Sequence, residues 1–135
     1  MRNDDEQIKT ILNSSRVIAV VGHSDRPSRV SYQIAQFLKK RDYIIYPVNP
    51  TITLIDEQIC YPSLKEIPEP IDIVNVFRRS EFVMEVVEAA ISIQAKTVWT
   101  QIGIYEANAA QKAIKSGLNV IMDRCIKVEY LRLLA

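Results

Sequence analysis

The sequence predicts an α/β fold with a five-stranded parallel sheet and helices on both faces. Short apolar runs of strand length recur along the chain, and segments with helical spacing separate them. The run at residues 17–21 is mostly β-branched, as in strands that are buried on both faces, and Gly22 ends it. Strands that alternate with helices in this way are typical of parallel sheets.

Each predicted element follows from its local pattern. The predicted strands one to five cover residues 17–21, 43–48, 71–77, 97–100 and 118–122. The predicted helices cover residues 4–13, about 30–41, 80–93, about 106–116 and about 126–134. Asn3 and Ser80 are predicted N-caps, and Gly117 is a predicted helix stop.

The order of the strands sets the expected ligand crevice. Right-handed crossovers in a nucleotide-binding fold predict a three-layer sandwich with the order 3-2-1-4-5. In that order the chain reverses between strands one and four. A ligand is therefore expected between Gly22-His23-Ser24 and Thr100-Gln101, at the carboxyl ends of these strands.

Residues 47–70 interrupt the regular alternation. They contain five of the six prolines, which exclude a long helix from this segment. Pro47 lacks an N–H, so the end of strand two is expected to be irregular. Residues 63–66 have a capping-box pattern that fits one short helical turn.

Composition and charge exclude several classes of function. The 135 residues fit one domain, and a net charge of +1 provides no field that attracts nucleic acid or a membrane. Two cysteines are too few for a disulfide framework and indicate a reducing compartment. The acidic N-terminus has no apolar core of a signal peptide, and no apolar run has membrane-spanning length, so a cytoplasmic location is expected.

The loop after strand one is the first candidate site. It contains one glycine and lacks the full G-x-G-x-x-G pattern, so a structural turn is one interpretation. Hydroxyl groups, arginines and a helix start follow within ten residues, a combination that suits a pyrophosphate. We expect the missing side chain of Gly22 to let phosphate approach the loop amides. The polar residues of this loop are Ser24, Arg26, Ser28, Arg29 and Ser31.

The end of strand two argues against NAD. Dinucleotide-binding domains place Asp or Glu there to bind the ribose, whereas this chain has Val48-Asn49-Pro50. The first acidic residue after that point is Asp56.

Arg78 and Arg79 directly follow strand three, where guanidinium groups could bind phosphate in a bidentate manner. The alternative interpretation is that both arginines are exposed to solvent and bind no ligand.

Asp123 and Cys125 follow strand five. Cys125 has no second histidine to act as its base, and this favours a structural role for the cysteine. His23 is the only histidine, and no metal site or catalytic triad can be assembled around it.

Six stretches of the sequence carry a resemblance to a known family: VVGHS (20–24), RVSY (29–32), PVNP (47–50), VFRRS (76–80), WTQIGI (99–104) and MDRC (122–125). Together they resemble the small stand-alone CoA-binding domain proteins of bacteria, which are similar to the CoA-binding domain of the succinyl-CoA synthetase alpha subunit. The family often has glycine where this chain has Asp42, Asp56 and Gln94.

The resemblance implies a Rossmann-like domain, here residues 1–135, that binds coenzyme A at the carboxyl edge of the sheet. It implies that Gly22, His23 and Ser24 face the pyrophosphate. The other residues implied at the ligand are Arg29 and Ser31 beside the pyrophosphate, Asn49, Pro50, Val76, Phe77 and Arg78 on the adenosine side, and Thr100 and Gln101 at the floor. Arg26 is the candidate for the 3′-phosphate of CoA.

Three functions are compatible with the predicted fold and the implied ligand site. The first is a non-catalytic sensor, carrier or regulatory module that binds CoA or acyl-CoA. The second is an enzyme, or an enzyme subunit with a protein partner, in which Asp123, Cys125 or His23 acts. The third, an NAD(P)-binding module, is disfavoured by the end of strand two. A homodimer is compatible with the sequence but not indicated by it.

Overall fold

The central sheet has five parallel strands, in a computed structural model that describes residues 4–135. The strands of this sheet are β1 (Val17–Val21), β2 (Ile44–Val48), β5 (Ile73–Val76), β6 (Thr97–Thr100) and β7 (Asn119–Ile121). Two further strands, β3 (Leu54–Ile55) and β4 (Gln58–Ile59), form a separate antiparallel hairpin. The helices are α1 (Asp4–Ser14), α2 (Val30–Lys40), α3 (Val83–Ser92), α4 (Ala107–Lys115) and α5 (Ile126–Leu133).

The helices form two layers, one on each face of the sheet. Helices α1, α2 and α5 share one buried apolar cluster with Ile18, Val20 and Trp99. Helices α3 and α4 share the other cluster with Ala19 and Val98. Because successive strand residues point to opposite faces, the apolar runs of β1 and β6 supply both layers. The predicted α/β class, with a parallel sheet between helices, is confirmed.

The strand order is consistent with the predicted 3-2-1-4-5 type of arrangement, although a different segment takes its outermost position. β1 pairs with β2 on one side and with β5 on the other, and β5 then pairs with β6. The short segment at Tyr61, which bridges Val48, takes the outermost position beside β2, and the predicted strand of residues 71–77 lies on the other side of β1. The reversal point consequently lies between β1 and β5, so the end of β5 and not that of β6 is the neighbour of Gly22.

Pro47 gives a physical reason for this order. Its carbonyl accepts a hydrogen bond from Tyr61 N at 2.9 Å, on the side of β2 that faces away from β1. On that side Pro47 has no N–H to donate, so a full strand could not pair there. Instead, the short segment at Tyr61 makes an isolated bridge to Val48 and covers the edge. β2 is therefore an edge strand.

Most predicted helices begin and end close to their observed bounds, with one local correction. Ser80 does not cap α3, because residues Ser80–Phe82 form a separate 3₁₀ turn before that helix. The Ser80 hydroxyl accepts a hydrogen bond from Tyr105 N instead. Residues Leu64–Glu66 form the predicted short turn, also as 3₁₀ helix. The predicted cap Asn3 lies outside the described residues.

The turns at Asp42, Asp56 and Gln94 adopt a backbone conformation that favours glycine. Asp42, Asp56 and Gln94 have φ values of 72°, 50° and 60°. These are the positions at which the resembled family often has glycine. The turns thus adopt the left-handed conformation with non-glycine residues.

Candidate functional site

The ends of β1 and β5 meet closely at the carboxyl edge of the sheet. Phe77 N donates to Val21 O at 2.8 Å, and Gly22 N donates to Val48 O at 2.9 Å. Gly22 has a φ of +88°, and a Cβ there would lie 2.8 Å from the carbonyl oxygen of Phe77. Close approach of the Phe77 backbone therefore requires glycine at this position. We call this contact the Gly22–Phe77 ridge.

A cleft lies on the α3 side of the ridge. It has a volume of about 280 Å³ and combines apolar walls with the polar side chains of Ser63, Arg78 and Glu85. We call it the Arg78 cleft. The lining residues used below are Gly22, Val48, Pro50, Pro62, Arg78 and Val86.

A second cleft lies on the opposite face, between the ridge and helices α2 and α5. It has a volume of about 310 Å³ and is mainly apolar. We call it the Cys125 cleft. Its lining residues are Val30, Ile34, Phe77, Gln101, Ile102, Ile104 and Cys125. A larger depression of about 380 Å³ lies at the amino edge, near Ile71 and Gln94, and includes none of the predicted site residues.

The loop after β1 is held by its own serines. Ser24 N donates to Ser31 Oγ at 3.0 Å, and Arg26 N donates to Ser24 Oγ at 3.0 Å. These two hydroxyls fix the loop to the start of α2, and each retains its own proton to donate. Arg29 precedes α2 without a side-chain cap, and both Arg26 and Arg29 are exposed. The predicted polar residues are thus grouped in one loop, although Gly22 N and Ser24 N already have partners.

Asn49 holds the same loop from the end of β2. Its Nδ2 donates to His23 O at 3.0 Å, while its Oδ1 accepts from Thr51 N and Thr51 Oγ1. The Asn49 side chain therefore positions the loop backbone. Its neighbour Pro50 lines the Arg78 cleft directly.

The two arginines after β5 have different surroundings. The Arg78 guanidinium carbon lies 4.3 Å from the centre of the Phe82 ring, and Arg78 lines the cleft. Stacking on an aromatic ring orients a guanidinium and leaves its N–H groups free to donate at the rim. Arg79 is exposed and precedes the 3₁₀ turn. The pair is therefore divided into one oriented cation and one solvated cation.

Two of the predicted ligand contacts have no exposed side chain. Val76 and Thr100 are both 0% exposed, because each lies in a central strand beneath the edge. Thr100 Oγ1 donates to Ile104 O and accepts from Asp123 N, and so fixes the loops after β6 and β7. Their contribution to the site is through the backbone and the shape of the edge.

Gln101 lies between the sheet and the Cys125 cleft. Its Nε2 donates to Asn75 Oδ1 at 2.5 Å, and its Oε1 accepts from Ile126 N at 3.3 Å. Through these contacts the Gln101 amide connects β5 to the first turn of α5. Gln101 is the one predicted residue from the end of β6 that reaches a cleft.

His23 is buried and supports the loop. Its ring is 3% exposed, and Nδ1 lies 2.7 Å from Ser24 O. A carbonyl can only accept, so Nδ1 must carry the proton in this contact. Burial lowers the pKa of His23, while the Ser24 carbonyl opposes part of that shift. The ring is therefore neutral at pH 7.

We expect His23 to make stability depend on pH. Because the pKa of His23 is lower in the folded state, the unfolded chain binds more protons over the window below about pH 6.5. The stabilisation that follows from this difference in pKa is complete above about pH 6.5. It is lost as the pH falls towards the lowered folded-state pKa of His23. The free energy of unfolding from urea denaturation at several pH values should fall more steeply for the wild type than for His23→Gln. Parallel curves for the two proteins between pH 5 and 7 would contradict this assignment.

Sequence reasoning missed several residues of the two clefts. Pro62 lines the Arg78 cleft, but the sequence indicated only that it interrupts a helix. Ile34 lines the Cys125 cleft, but the sequence indicated only that it belongs to the apolar face of a helix. The exposed Ile102 and Val30 carried a weak signal, as apolar residues at the ends of elements that meet at the carboxyl edge. Cys125 was assigned a structural role, yet it lines a cleft.

Two kinds of feature are absent from residues 4–135. Within that range no group of three or more His, Cys, Asp or Glu side chains could hold a metal ion. None of the helices in the same range has the length and apolar character needed to cross a membrane.

Comparison with known proteins identifies a family whose model matches most of this sequence. A family model described as "CoA binding domain" matches residues 16–131, which include all of the cleft residues named above. The protein YneT of Bacillus subtilis, whose name marks it as uncharacterized, is 47% identical over 127 residues, covering 92% of each chain.

A solved structure and an enzyme extend the comparison. A hypothetical protein from Pyrococcus horikoshii OT3 is similar with a TM-score of 0.94 and 39% identity, over 97% of this chain and 92% of that one. Acetate–CoA ligase (ADP-forming) II of Archaeoglobus fulgidus is 35% identical over 71 residues. That match covers 51% of this chain and 10% of the ligase.

Proposed function

This chain belongs to the CoA-binding domain family, and on that premise we propose that it binds coenzyme A, free or acylated, without catalysing a reaction on it. The ligand would lie across the carboxyl edge of the sheet. We take residues 1–135 as one binding domain that works as a sensor, carrier or regulatory module. Its free thiols, Cys60 and Cys125, suit a reducing compartment such as the cytoplasm.

The observation that carries this proposal is the pair of clefts on either side of the Gly22–Phe77 ridge. Coenzyme A has an anionic adenosine diphosphate half and a long, largely apolar pantetheine arm. The Arg78 cleft offers apolar walls for a base and one oriented guanidinium for phosphate, and the Glu85 carboxylate also lines it. The Cys125 cleft offers apolar walls and the Gln101 amide, which suit the arm and its amide groups. The two clefts thus match the two halves of one ligand.

The surroundings of the candidate catalytic groups favour binding over catalysis. His23 is buried and neutral, and its protonated nitrogen is bonded to a carbonyl. Asp123 Oδ1 accepts from Gly103 N at 2.6 Å and holds a loop. The ligase relative contains nine tenths of its length outside the matched segment. These observations fit a module that holds CoA.

Calorimetric titration with CoA and with NAD tests the proposal. CoA should bind, and NAD should bind at least tenfold more weakly, because β2 ends in Val48-Asn49-Pro50 with no carboxylate for the adenosine ribose. Native mass spectrometry of the freshly purified protein should also reveal any retained CoA or acyl-CoA by its mass. Binding of NAD without CoA, or of neither, would overturn the proposal.

A further inference from the structure

Cys125 is the accessible thiol at this edge of the sheet. It is partly exposed, lines the Cys125 cleft and directly precedes α5. Its neighbour Arg124 is fixed, because Trp99 Nε1 donates to the Arg124 carbonyl at 2.8 Å. The second cysteine, Cys60, is only 4% exposed, and burial raises its pKa. The chain thus has one thiol at a cleft, Cys125, and one thiol in the core, Cys60, which serves as its control.

An incomplete polar network lies behind Gln101, one of the residues that line the same cleft. Asn75 is fully buried, and its Nδ2 has no hydrogen-bond partner among the described residues, although its Oδ1 accepts from Gln101. In the sheet register Asn75 lies between Val20 and Trp99, whose side chains belong to the layer of α2 and α5. The Asn75 amide therefore faces the side on which this cleft opens. A buried N–H without a partner destabilises the folded state unless a water molecule or a ligand atom accepts its hydrogen bond.

The position of the thiol matches one chemical feature of the proposed ligand. The pantetheine arm of coenzyme A ends in a thiol, and the apolar cleft that suits this arm has Cys125 on its wall. This inference rests on the proposed function. We propose that Cys125 is a thiol-exchange site that forms a mixed disulfide with the thiol of coenzyme A, so that the protein captures CoA covalently when the CoA pool is oxidised.

The exchange needs only CoA disulfide as its co-reactant. The Cys125 thiol loses its proton, and its sulfur attacks one sulfur of CoA disulfide. The Cys125–CoA disulfide bond forms as the bond between the two CoA sulfurs breaks. One CoA leaves as a thiolate and takes up a proton, so one disulfide replaces another with no net oxidation. Excess reduced thiol reverses the step and releases CoA.

Incubation of the folded protein with CoA disulfide tests this proposal. Intact-mass spectrometry should show one added CoA on the wild type and on Cys60→Ala, and none on Cys125→Ala. Peptide mapping of the wild-type adduct should place it on Cys125, which assigns the site even if a variant folds poorly. The reaction should be at least tenfold faster than with glutathione disulfide, because the clefts bind the adenosine half of CoA first.

The outcomes separate this inference from the proposed function. Calorimetric binding of reduced CoA without any adduct would overturn the exchange site and leave the proposed function intact. An adduct on Cys60, or equal rates with CoA disulfide and glutathione disulfide, would also overturn it, since Cys125 would then be an ordinary surface thiol. Failure to bind reduced CoA would overturn the proposed function itself.

Discussion

Replacing Gly22 with valine is expected to destabilise the folded protein by about 2–4 kcal/mol. Gly22 has a φ of +88°, which disfavours any residue with a Cβ and most of all a β-branched one. The new Cβ would also lie 2.8 Å from the Phe77 carbonyl oxygen. That oxygen belongs to the backbone at the end of β5, so no side-chain rotation relieves the contact. Thermal melts should show a decrease in Tm on the order of 10 °C.

Gly117 provides the matched control. It has a φ of +91°, and a Cβ there would meet nothing within 4 Å. Gly117→Ala therefore measures the backbone cost alone, about 1–2 kcal/mol. Gly22→Ala should cost more than Gly117→Ala, and the difference measures the contact with Phe77. Equal losses in urea denaturation would mean that the ends of β1 and β5 separate easily and that the ridge is not rigid.

The role of Gly22 illustrates what a sequence can and cannot specify. A glycine after a buried strand predicts a turn, and that prediction requires only local information. The reason for the glycine is the Phe77 backbone, 55 positions further along the chain, and it depends on which strand lies beside β1. With strand three placed outside strand two, Phe77 was not a neighbour, and the glycine was interpreted either as a structural turn or as a point of access for phosphate.

The position of β2 near the edge of the sheet could have been predicted from one residue. Pro47 lies within β2 and cannot donate to a neighbouring strand, which marks β2 as an edge. The prediction used Pro47 only to expect a local irregularity and took the order from analogy with nucleotide-binding folds. Local periodicity located the strands and helices well, because burial of their apolar faces follows from sequence spacing.

The Cys125 cleft could not be predicted from the periodicity of apolar residues. Its walls come from Ile34 in α2, Phe77 after β5 and Cys125 before α5, which are distant in the chain. Ile34 and Phe77 are partly or fully buried parts of the apolar layer, and only their packing leaves a cleft between them. The polar loops, in contrast, could be placed at one edge because all carboxyl ends of a parallel sheet meet there.

Replacing Arg78 with alanine is expected to weaken CoA binding about tenfold or more. Arg78 lines the cleft and is oriented by the Phe82 ring, with its guanidinium carbon 4.3 Å from the ring centre. One charge-assisted hydrogen bond to phosphate contributes about 1.5–3 kcal/mol, and 1.4 kcal/mol corresponds to a factor of ten in affinity. Arg78→Lys keeps the charge without the planar, bidentate donor, so it should bind with intermediate affinity.

Arg79→Ala is the control for the effect of charge alone, because Arg79 is adjacent in sequence but exposed to solvent. It should change the dissociation constant less than about threefold, and that small effect should disappear at high salt. Calorimetric titrations of the three variants with CoA, at low and high salt, measure both effects. Thermal melts identify any loss of the packing between Arg78 and Phe82. If Arg78→Ala folds normally and binds CoA as tightly as Arg79→Ala does, the phosphates of CoA do not contact the Arg78 cleft.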